Sequence, residues 1–309
     1  MFDRLALPLM CAPMSFASSP ALAAACCKAG VIGGWQGGTY TALDEFERYL
    51  DGLAGIDGAP PIVNLPARIA SEATGEPKLA LLEKHRIPLI LSSIGDPGLL
   101  VDRVHGWGGK VIHDVTTMRH AEKALEAGAD GLMLTCAGAG GHTGFLTPMA
   151  FVPAVRRMFD GPLIVAGGIA DGAGIAAVLA LGGDIACMGT RFIATPESGV
   201  VDGHRQMIPT AGIDQIVIAS AMNGVPANWM LPSIEAAGLD YKALPRERTA
   251  MPDGVIPWRD IWSAGQSVAL IDTVEPVAQL VERLTEEFER AATGIDWRAR
   301  LARLNGVMA

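Results

Sequence analysis

Three glycine-rich segments hold the residues of this chain whose types and spacing best suit chemistry. They are Ala139–Gly144, which contains His142, then Leu163–Gly172 and Ala186–Phe192. Each contains or follows an apolar run with the composition of a buried strand. Glycine lets the backbone approach an anion closely, and a histidine can give or take a proton near neutral pH. The pattern predicts a phosphate-bearing ligand beside a single acid–base group.

The phosphate-binding positions are predicted at Gly167–Gly168 and Gly189–Thr190. They would end the seventh and eighth strands, after which barrels of this class commonly bind phosphate. We expect free backbone N–H groups of the following helix to point at the anion, with Asp171 as that helix's N-cap. Arg191 comes next, and it suits either the phosphate or an acidic helix end equally well. The structural alternative is a pair of tight turns without a ligand.

His142 is the predicted catalytic residue, because the small residues on both sides leave its ring uncovered. A ring in that setting can act as a general acid or base. The alternative is a histidine that only hydrogen-bonds the loop backbone. His113 ends the fifth predicted strand and faces the same mouth in one interpretation, although a structural role is favoured for it.

Candidate ligand contacts also follow the first and third predicted strands. Ala12, Pro13 and Met14 offer small residues and a flexible thioether that suit the face of a planar ring, with backbone amides at its polar edge; core packing explains them equally well. Asn64 carries an amide that must find partners when buried, so it either holds a loop or binds a ligand. Ser263 is expected to cap a helix rather than to touch a ligand.

Strand and helix patterns alternate along the chain, which predicts βα units and a parallel sheet. The predicted strands are Leu7–Ala12, Val31–Gly34, Pro61–Leu65, Pro88–Ser92, Lys110–His113, Gly131–Thr135, Leu163–Ala166 and Ile185–Met188. The predicted helices are Ala21–Ala29, Thr41–Leu53, Pro77–Lys84, Leu99–Trp107, Met118–Ala127, Gly172–Leu181, Ser263–Ile271, Val274–Thr293 and Trp297–Leu304. Eight strands predict an α/β fold of the TIM (β/α)8 barrel type. A doubly wound sheet is the alternative, which the lack of an obvious switch point disfavours.

The alternation stops after Glu197. From Ser198 to Trp258, six prolines interrupt weakly periodic helical pieces. We therefore predict a mostly helical insertion at 198–258 that caps the barrel mouth. The barrel itself would take residues 1–197 and 259–309.

Composition narrows the class of protein. The chain has 309 residues, of which 50% are hydrophobic and 18% charged, so it is globular rather than disordered. A net charge of -9 argues against a nucleic-acid-binding surface. The chain lacks a signal-peptide pattern and any apolar run of the ~20 residues that cross a bilayer. Five cysteines without metal-ligand spacing predict reduced thiols, no metal site and a cytoplasmic location.

Four segments together resemble the nitronate monooxygenase (2-nitropropane dioxygenase) family. They are Gly140–Gly144, Ala166–Gly172, Met188–Phe192 and Ser263–Gln266. The same superfamily contains FMN-dependent enoyl-acyl-carrier-protein reductases and NADH:quinone reductases with very similar motifs. The resemblance extends over nearly the whole chain, from Cys11 to the last helices.

The resemblance implies a TIM barrel that holds non-covalent FMN at the carboxyl ends of its strands. The cofactor-binding residues that it implies are Ala12, Pro13, Met14, Asn64, Gly141, Gly167, Gly168, Gly189, Thr190 and Gln266. His142 corresponds to the family's active-site base or substrate donor. Many relatives carry a lysine near the end of the fifth strand, where this chain has Asp114. The difference removes a positive charge expected near the flavin.

The leading hypothesis is an FMN-dependent nitronate monooxygenase, which would convert alkyl nitronates and dioxygen to a carbonyl compound and nitrite. The alternative is an FMN-dependent reductase that transfers hydride from NADH or NADPH to an enoyl thioester or a quinone. A flavin-free barrel that binds a sugar or nucleotide phosphate is a third class. Barrels of this kind often self-associate, so a homo-oligomer is one more hypothesis.

Overall fold

The structure is a computed structural model that describes residues 2–39, 42–294, 296, 298–299 and 301–303. Numbered along the chain, its strands are β1 (Leu9–Cys11), β2 (Ile32–Gln36), β3 (Pro61–Pro66), β4 (Leu89–Ser93), β5 (Lys110–Val115), β6 (Gly131–Thr135), β7 (Gly141–His142), β8 (Leu163–Ala166), β9 (Ile185–Met188), β10 (Ile216–Ala219) and β11 (Ala227–Met230). The barrel is closed and parallel, in the order β1-β2-β3-β4-β5-β6-β8-β9. Because β1 pairs with both β2 and β9, no strand edge is left open. The TIM-barrel prediction is confirmed.

Side chains along the barrel strands alternate between the barrel interior and the surrounding helices. The interior cluster is made of Met10, Ile32, Ile62, Leu89, Leu91, Ile112, Met133, Ile164, Ile185 and Cys187. These packed side chains fill the barrel, so a ligand must bind above them, at the carboxyl ends of the strands.

Helices surround the barrel and pack on the outward-facing strand residues. They are α1 (Pro20–Lys28), α2 (Leu43–Leu53), α3 (Glu76–Lys84), α4 (Gly98–His105), α5 (Met118–Glu126), α6 (Pro148–Arg156), α7 (Gly172–Leu181) and α11 (Val277–Ala292). The short helix α8 (Thr190–Ile193) follows β9, and α9 (Asp202–Met207) and α10 (Leu231–Ala236) lie in the 198–258 insertion. In the described part of the chain, no helix has the length and apolar character needed to cross a membrane.

Two helix predictions differ from the structure. Helix α6 is absent from the predicted set, because Pro148 and Pro153 interrupt its pattern, although Pro148 occupies the first turn, where proline is tolerated. The helix predicted at Ser263–Ile271 is only a 3₁₀ turn, Gln266–Leu270. The predicted helix Trp297–Leu304 includes residues that lie outside the described part of the chain. Thr41, the first residue of the predicted helix Thr41–Leu53, also lies outside it.

The insertion at 198–258 contains strands as well as short helices, so the expectation of a mostly helical segment was incomplete. Strands β10 and β11 form an antiparallel hairpin, and β11 also pairs with β7, where Ala227 is opposite His142. The connection contains Asn223–Gly224, a dipeptide that favours hairpin turns. The hairpin therefore joins the insertion to the loop that carries the predicted catalytic histidine. The division of the chain into a barrel and a cap stays a prediction.

Candidate active site

An open cavity of about 1560 Å³ lies at the carboxyl ends of the barrel strands. Its lining includes the predicted residues Ala12, Pro13, Met14, Asn64, Gly141, His142, Gly167, Gly168, Gly189 and Thr190. The volume exceeds the ~300–1,000 Å³ of common small-molecule pockets. The structure thus brings most of the predicted site residues to one cavity that has room for more than one ligand.

The two glycines after β8 serve different purposes. Gly167 has φ +131°, and a Cβ there would lie 2.8 Å from the carbonyl oxygen of Ala137, so packing excludes a side chain. Gly168 has φ +72°, and no described heavy atom outside its chain neighbours lies within 4 Å of the corresponding Cβ position. Gly168 therefore presents bare backbone to the cavity, as close contact with an anion requires.

Two N–H groups in the first turn of helix α7, those of Gly172 and Gly174, already have protein acceptors, which differs from the predicted free N–H groups. Asp171 is its N-cap, as predicted, and accepts a hydrogen bond from the N–H of Gly174 at 2.7 Å. The N–H of Gly172 donates to Glu287 of helix α11 at 3.0 Å. Two carboxylates therefore occupy the positive end of this helix, which disfavours an anion there.

Thr190 begins helix α8 directly after Gly189, at the wall of the cavity. Its hydroxyl accepts a hydrogen bond from the N–H of Gly265 at 2.8 Å, which leaves the hydroxyl hydrogen free to be donated to a ligand. Arg191 is buried and points elsewhere, because it donates to Glu275 at 2.9 Å and to the carbonyl oxygen of Thr273. Arg191 was predicted to contact either the phosphate or an acidic helix end. The structure supports the second role, with Glu275 as the acidic residue.

The segment Ser263–Gln266 connects the histidine loop to the start of helix α8, where the N–H of Gly265 donates to Thr190. Ser263 accepts a hydrogen bond from the N–H of Gly141 at 2.7 Å and donates to the carbonyl oxygen of Asn228, so it is not the predicted helix cap. A Cβ at Gly140 would lie 2.8 Å from the nitrogen of Gly265, which is why small residues are needed on both sides. This close packing explains how motifs far apart in sequence form one site.

Gln266 is the exception among the predicted residues. Its side chain is exposed and does not belong to the cavity lining. Its Oε1 atom and the nitrogen of Gly168 lie 3.0 and 3.5 Å from the position of a Cβ at Gly138. Gln266 therefore lies close to Gly138 and to the Gly168 turn but outside the cavity lining.

Ala12, Pro13 and Met14 contribute surface rather than free backbone donors, which differs from the expectation for these three residues. The N–H of Ala12 donates to the carbonyl oxygen of Met188, and the N–H of Met14 donates to Ser18 at 2.6 Å. Pro13 has no N–H. A planar ligand would meet small and apolar atoms at Ala12–Met14, and its polar edge must be satisfied by residues other than these three.

Polar side chains lie on the β3–β6 side of the cavity. Asn64 donates from its amide nitrogen to the carbonyl oxygen of Leu91 at 2.9 Å and to Ser93 at 3.3 Å, so its amide oxygen is the atom that remains for a ligand. Asp114 also lines the cavity and accepts a hydrogen bond from Thr135 at 2.5 Å. Burial raises the pKa of Asp114 from 3.8 to about 6, even though the Thr135 hydrogen bond lowers it.

The raised pKa of Asp114 predicts a specific pH dependence of stability. Between pH 3.8 and about 6 the unfolded chain loses this proton while the folded protein keeps it, so the free energy of unfolding falls with rising pH. We expect Asp114→Asn to be more stable than the parent by up to about 3 kcal/mol above pH 7, with the difference vanishing near pH 4. Urea unfolding across this range measures it, and a difference that does not change with pH would contradict the assignment.

His142 lies exposed at the cavity edge on strand β7. The amide nitrogen of Asn223 lies 3.0 Å from its Nε2 atom, so Nε2 accepts and the proton of the neutral ring resides on Nδ1. The ring meets Trp258 edge-on, with centroids 5.5 Å apart. Desolvation lowers the pKa of His142 below 6.5, so the ring is neutral at pH 7.

Asn223 and Trp258 are site residues that the sequence reasoning missed. The dipeptide Asn223–Gly224 is a hairpin signal that would have predicted a turn, although not its contact with His142. No comparable local sequence pattern around Trp258 predicts its contact with His142. His113 has the structural contact that was favoured for it, a 2.6 Å hydrogen bond with buried Ser92, and burial lowers its pKa to about 4.

Comparisons with known proteins agree with this geometry. A family model described as nitronate monooxygenase matches residues 61–287. A nitronate monooxygenase of Paraburkholderia phytofirmans is 29% identical over 344 residues, which cover 92% of this chain and 93% of that protein. The solved nitroalkane oxidase of Streptomyces ansochromogenes is 26% identical with a TM-score of 0.81, covering 95% of this chain and 99% of its own. The solved FabK of Thermotoga maritima is 28% identical with a TM-score of 0.79, covering 99% and 97%.

The family match spans most of the chain and includes the histidine loop, both glycine turns and Gln266. The predicted resemblance is confirmed. The chain therefore belongs to the nitronate monooxygenase family of oxidoreductases.

Proposed function

We propose that the protein is an FMN-dependent nitronate monooxygenase that oxidises alkyl nitronates with dioxygen to a carbonyl compound and nitrite. One observation carries the proposal: the bare backbone of Gly168, the hydroxyl of Thr190 and the ring of His142 open onto the same cavity. The family match and the likeness to a nitroalkane oxidase support the same activity.

The residues of the cavity fit FMN. Its phosphate would lie at Gly168 and Thr190, where a Cβ-free backbone and a free hydroxyl hydrogen can bind an anion. Its ring would lie against Ala12–Met14, and the amide oxygen of Asn64 would accept a hydrogen bond from a ring N–H. Gly141 provides space rather than a donor in this arrangement, because its N–H donates to Ser263. Gly189 would add bare backbone beside Thr190. When bound, FMN would supply the electron transfer between nitronate and dioxygen.

His142 would act on the substrate. The neutral ring can donate its Nδ1 hydrogen to a nitronate oxygen, or a ring nitrogen can remove the α-proton of a neutral nitroalkane. Asn223 and Trp258 would hold the ring in place from the insertion. We also propose that residues 198–258 act as a cap, because Val225, Pro226 and Trp258 line the cavity.

A flavin reductase is the second candidate function, and two observations favour keeping it. The structural likeness to FabK of Thermotoga maritima is as extensive as the likeness to the nitroalkane oxidase. The cavity has room for a second ligand, as hydride transfer from NADH or NADPH would require. In that reaction His142 would supply a proton to an enoyl thioester or a quinone.

Anaerobic stopped-flow mixing separates the two functions. We expect ethylnitronate to bleach the flavin absorbance of the reconstituted protein rapidly, and NADH and NADPH to leave it nearly unchanged. Rapid bleaching by either coenzyme would favour the reductase instead. If the protein does not bind added FMN, the flavin-free barrel that binds a sugar or nucleotide phosphate becomes the favoured hypothesis.

We further propose that the protein functions in the cytoplasm. All five cysteines are free and buried, and burial raises the pKa of the Cys27 thiol to about 11 and that of Cys136 to about 12. Thiols of this kind suit a reducing compartment. Self-association stays a hypothesis that sedimentation velocity would test.

A further inference from the structure

Large apolar side chains are exposed around the mouth of the cavity. We call them the apolar rim: Phe16 (41% exposed), Ile94 (61%), Phe145 (70%), Leu146 (37%) and Val225 (45%). All five line the cavity. Contiguous exposed apolar surface beside a binding site usually marks the place where the apolar part of a ligand lies.

Backbone strain is concentrated at the same place. Three described residues other than glycine have a positive φ: Arg86, Ile94 at +56° and Trp258 at +72°. The last two line the cavity, and a β-branched residue such as isoleucine is rare in this conformation. Such strain persists where surrounding structure holds a side chain in a functional position. The fold therefore places Ile94 and Trp258 at the mouth despite a conformational cost.

The apolar rim approaches His142 from two directions. Phe145 and Leu146 follow the histidine in the same loop, and Val225 lies two residues before Ala227, the β11 residue that is paired with it. The carbonyl oxygen of Pro226 accepts a hydrogen bond from the N–H of Thr143, which fixes this side of the mouth beside the loop. Ile94 directly follows β4, which is two strands from β6 in the barrel, and adds apolar surface on that side of the mouth. A chain attached to a group at His142 thus has apolar surface to follow.

We propose that the physiological substrate carries a hydrocarbon chain of medium length, which lies along the apolar rim while its reacting group contacts His142. This inference rests on the proposed function. It narrows the substrate class from alkyl nitronates in general to those whose hydrocarbon chain covers the apolar rim and removes it from water.

The first test is the chain-length dependence of turnover. We expect kcat/KM to rise by about threefold per added methylene group across the nitronates of nitroethane, nitrobutane, nitrohexane and nitrooctane. Oxidation of all four nitronates with the same kcat/KM would overturn the inference and leave the proposed function intact. Failure to oxidise any nitronate would overturn the proposed function.

Binding without turnover tests the rim independently of the reaction. Carboxylates are planar anions like nitronates, so calorimetric titration with acetate, butanoate, hexanoate and octanoate reports chain binding alone. We expect affinity to rise along the series with an increasingly negative heat-capacity change, the mark of apolar burial. Equal affinity for acetate and octanoate would contradict the inference even if nitronates are oxidised.

Variants assign the effect to the rim. Phe145→Ala and Ile94→Gly should each reduce the dependence of kcat/KM on chain length by about half. Glycine at position 94 also adopts the positive φ without strain, so this variant should stay folded. Ile213→Ala is the matched control, because Ile213 is similarly exposed but lies outside the cavity lining. If the rim variants change the sedimentation coefficient and not the chain-length dependence, the inference is wrong and the rim is instead covered by a second copy of the chain.

Discussion

Gly168→Ala is expected to weaken FMN binding by about 100-fold or more while the barrel stays folded. The new methyl group would project into the open space of the cavity, where the phosphate would lie. Charge-assisted hydrogen bonds contribute roughly 1.5–3 kcal/mol each, so the loss of one or two accounts for this factor. Fluorescence titration of the apoprotein with FMN measures the effect.

Two controls separate the phosphate from the backbone conformation. Gly254 has φ +78°, close to the +72° of Gly168, with no described heavy atom within 4 Å of its Cβ position, and it lies outside the cavity lining. Gly254→Ala should thus carry the same strain, about 1 kcal/mol, and leave FMN affinity unchanged. Riboflavin, which lacks the phosphate, should bind Gly168→Ala about as well as it binds the parent. Equal weakening of riboflavin and FMN would place the phosphate elsewhere.

The barrel and the location of its site could be predicted from sequence because both depend on local patterns. Apolar runs that end in glycine identify the strands, and the strand ends of a parallel barrel share one rim. This is why the order of the residues alone is enough to bring Gly168, Thr190 and His142 to one end of the barrel.

The acceptor that each backbone N–H group binds could not be predicted, because these acceptors lie far away in the sequence. Helix α7 has an open first turn as far as its own sequence shows, yet Glu287 reaches it from helix α11, far along the chain. Likewise the N–H of Ala12, just after β1, donates a hydrogen bond to the carbonyl oxygen of Met188 at the end of β9. Tertiary hydrogen bonds of this kind leave no trace in local composition.

The insertion shows a different source of error. Strands β10 and β11 are short, so their patterns are weak beside the prolines of this segment. The Asn223–Gly224 signal between them would have predicted a hairpin. Neither it nor any local pattern predicts that β11 pairs with β7, which brings Asn223 to the histidine.

His142→Ala is expected to lower turnover by about 10²–10⁴-fold, the usual contribution of a general acid or base. FMN affinity should change little, because His142 lies on β7, outside the barrel strands, and the residues proposed to hold FMN are unchanged. Oxygen consumption under saturating substrate measures the loss. The matched control is His105→Ala, which removes an exposed histidine outside the cavity lining and should have no effect.

The choice of substrate then distinguishes the two roles open to the ring. A nitronate has already lost its α-proton, so a base is needed only for the neutral nitroalkane. If His142 is the base, the variant loses activity on nitroethane and keeps it on ethylnitronate. The parent's activity on nitroethane should then fall with decreasing pH only well below 6.5, the ordinary pKa of histidine, because desolvation lowers the pKa of this ring. Loss on both substrates would instead assign His142 to hydrogen bonding of the nitronate oxygens, and loss on neither would remove it from the mechanism.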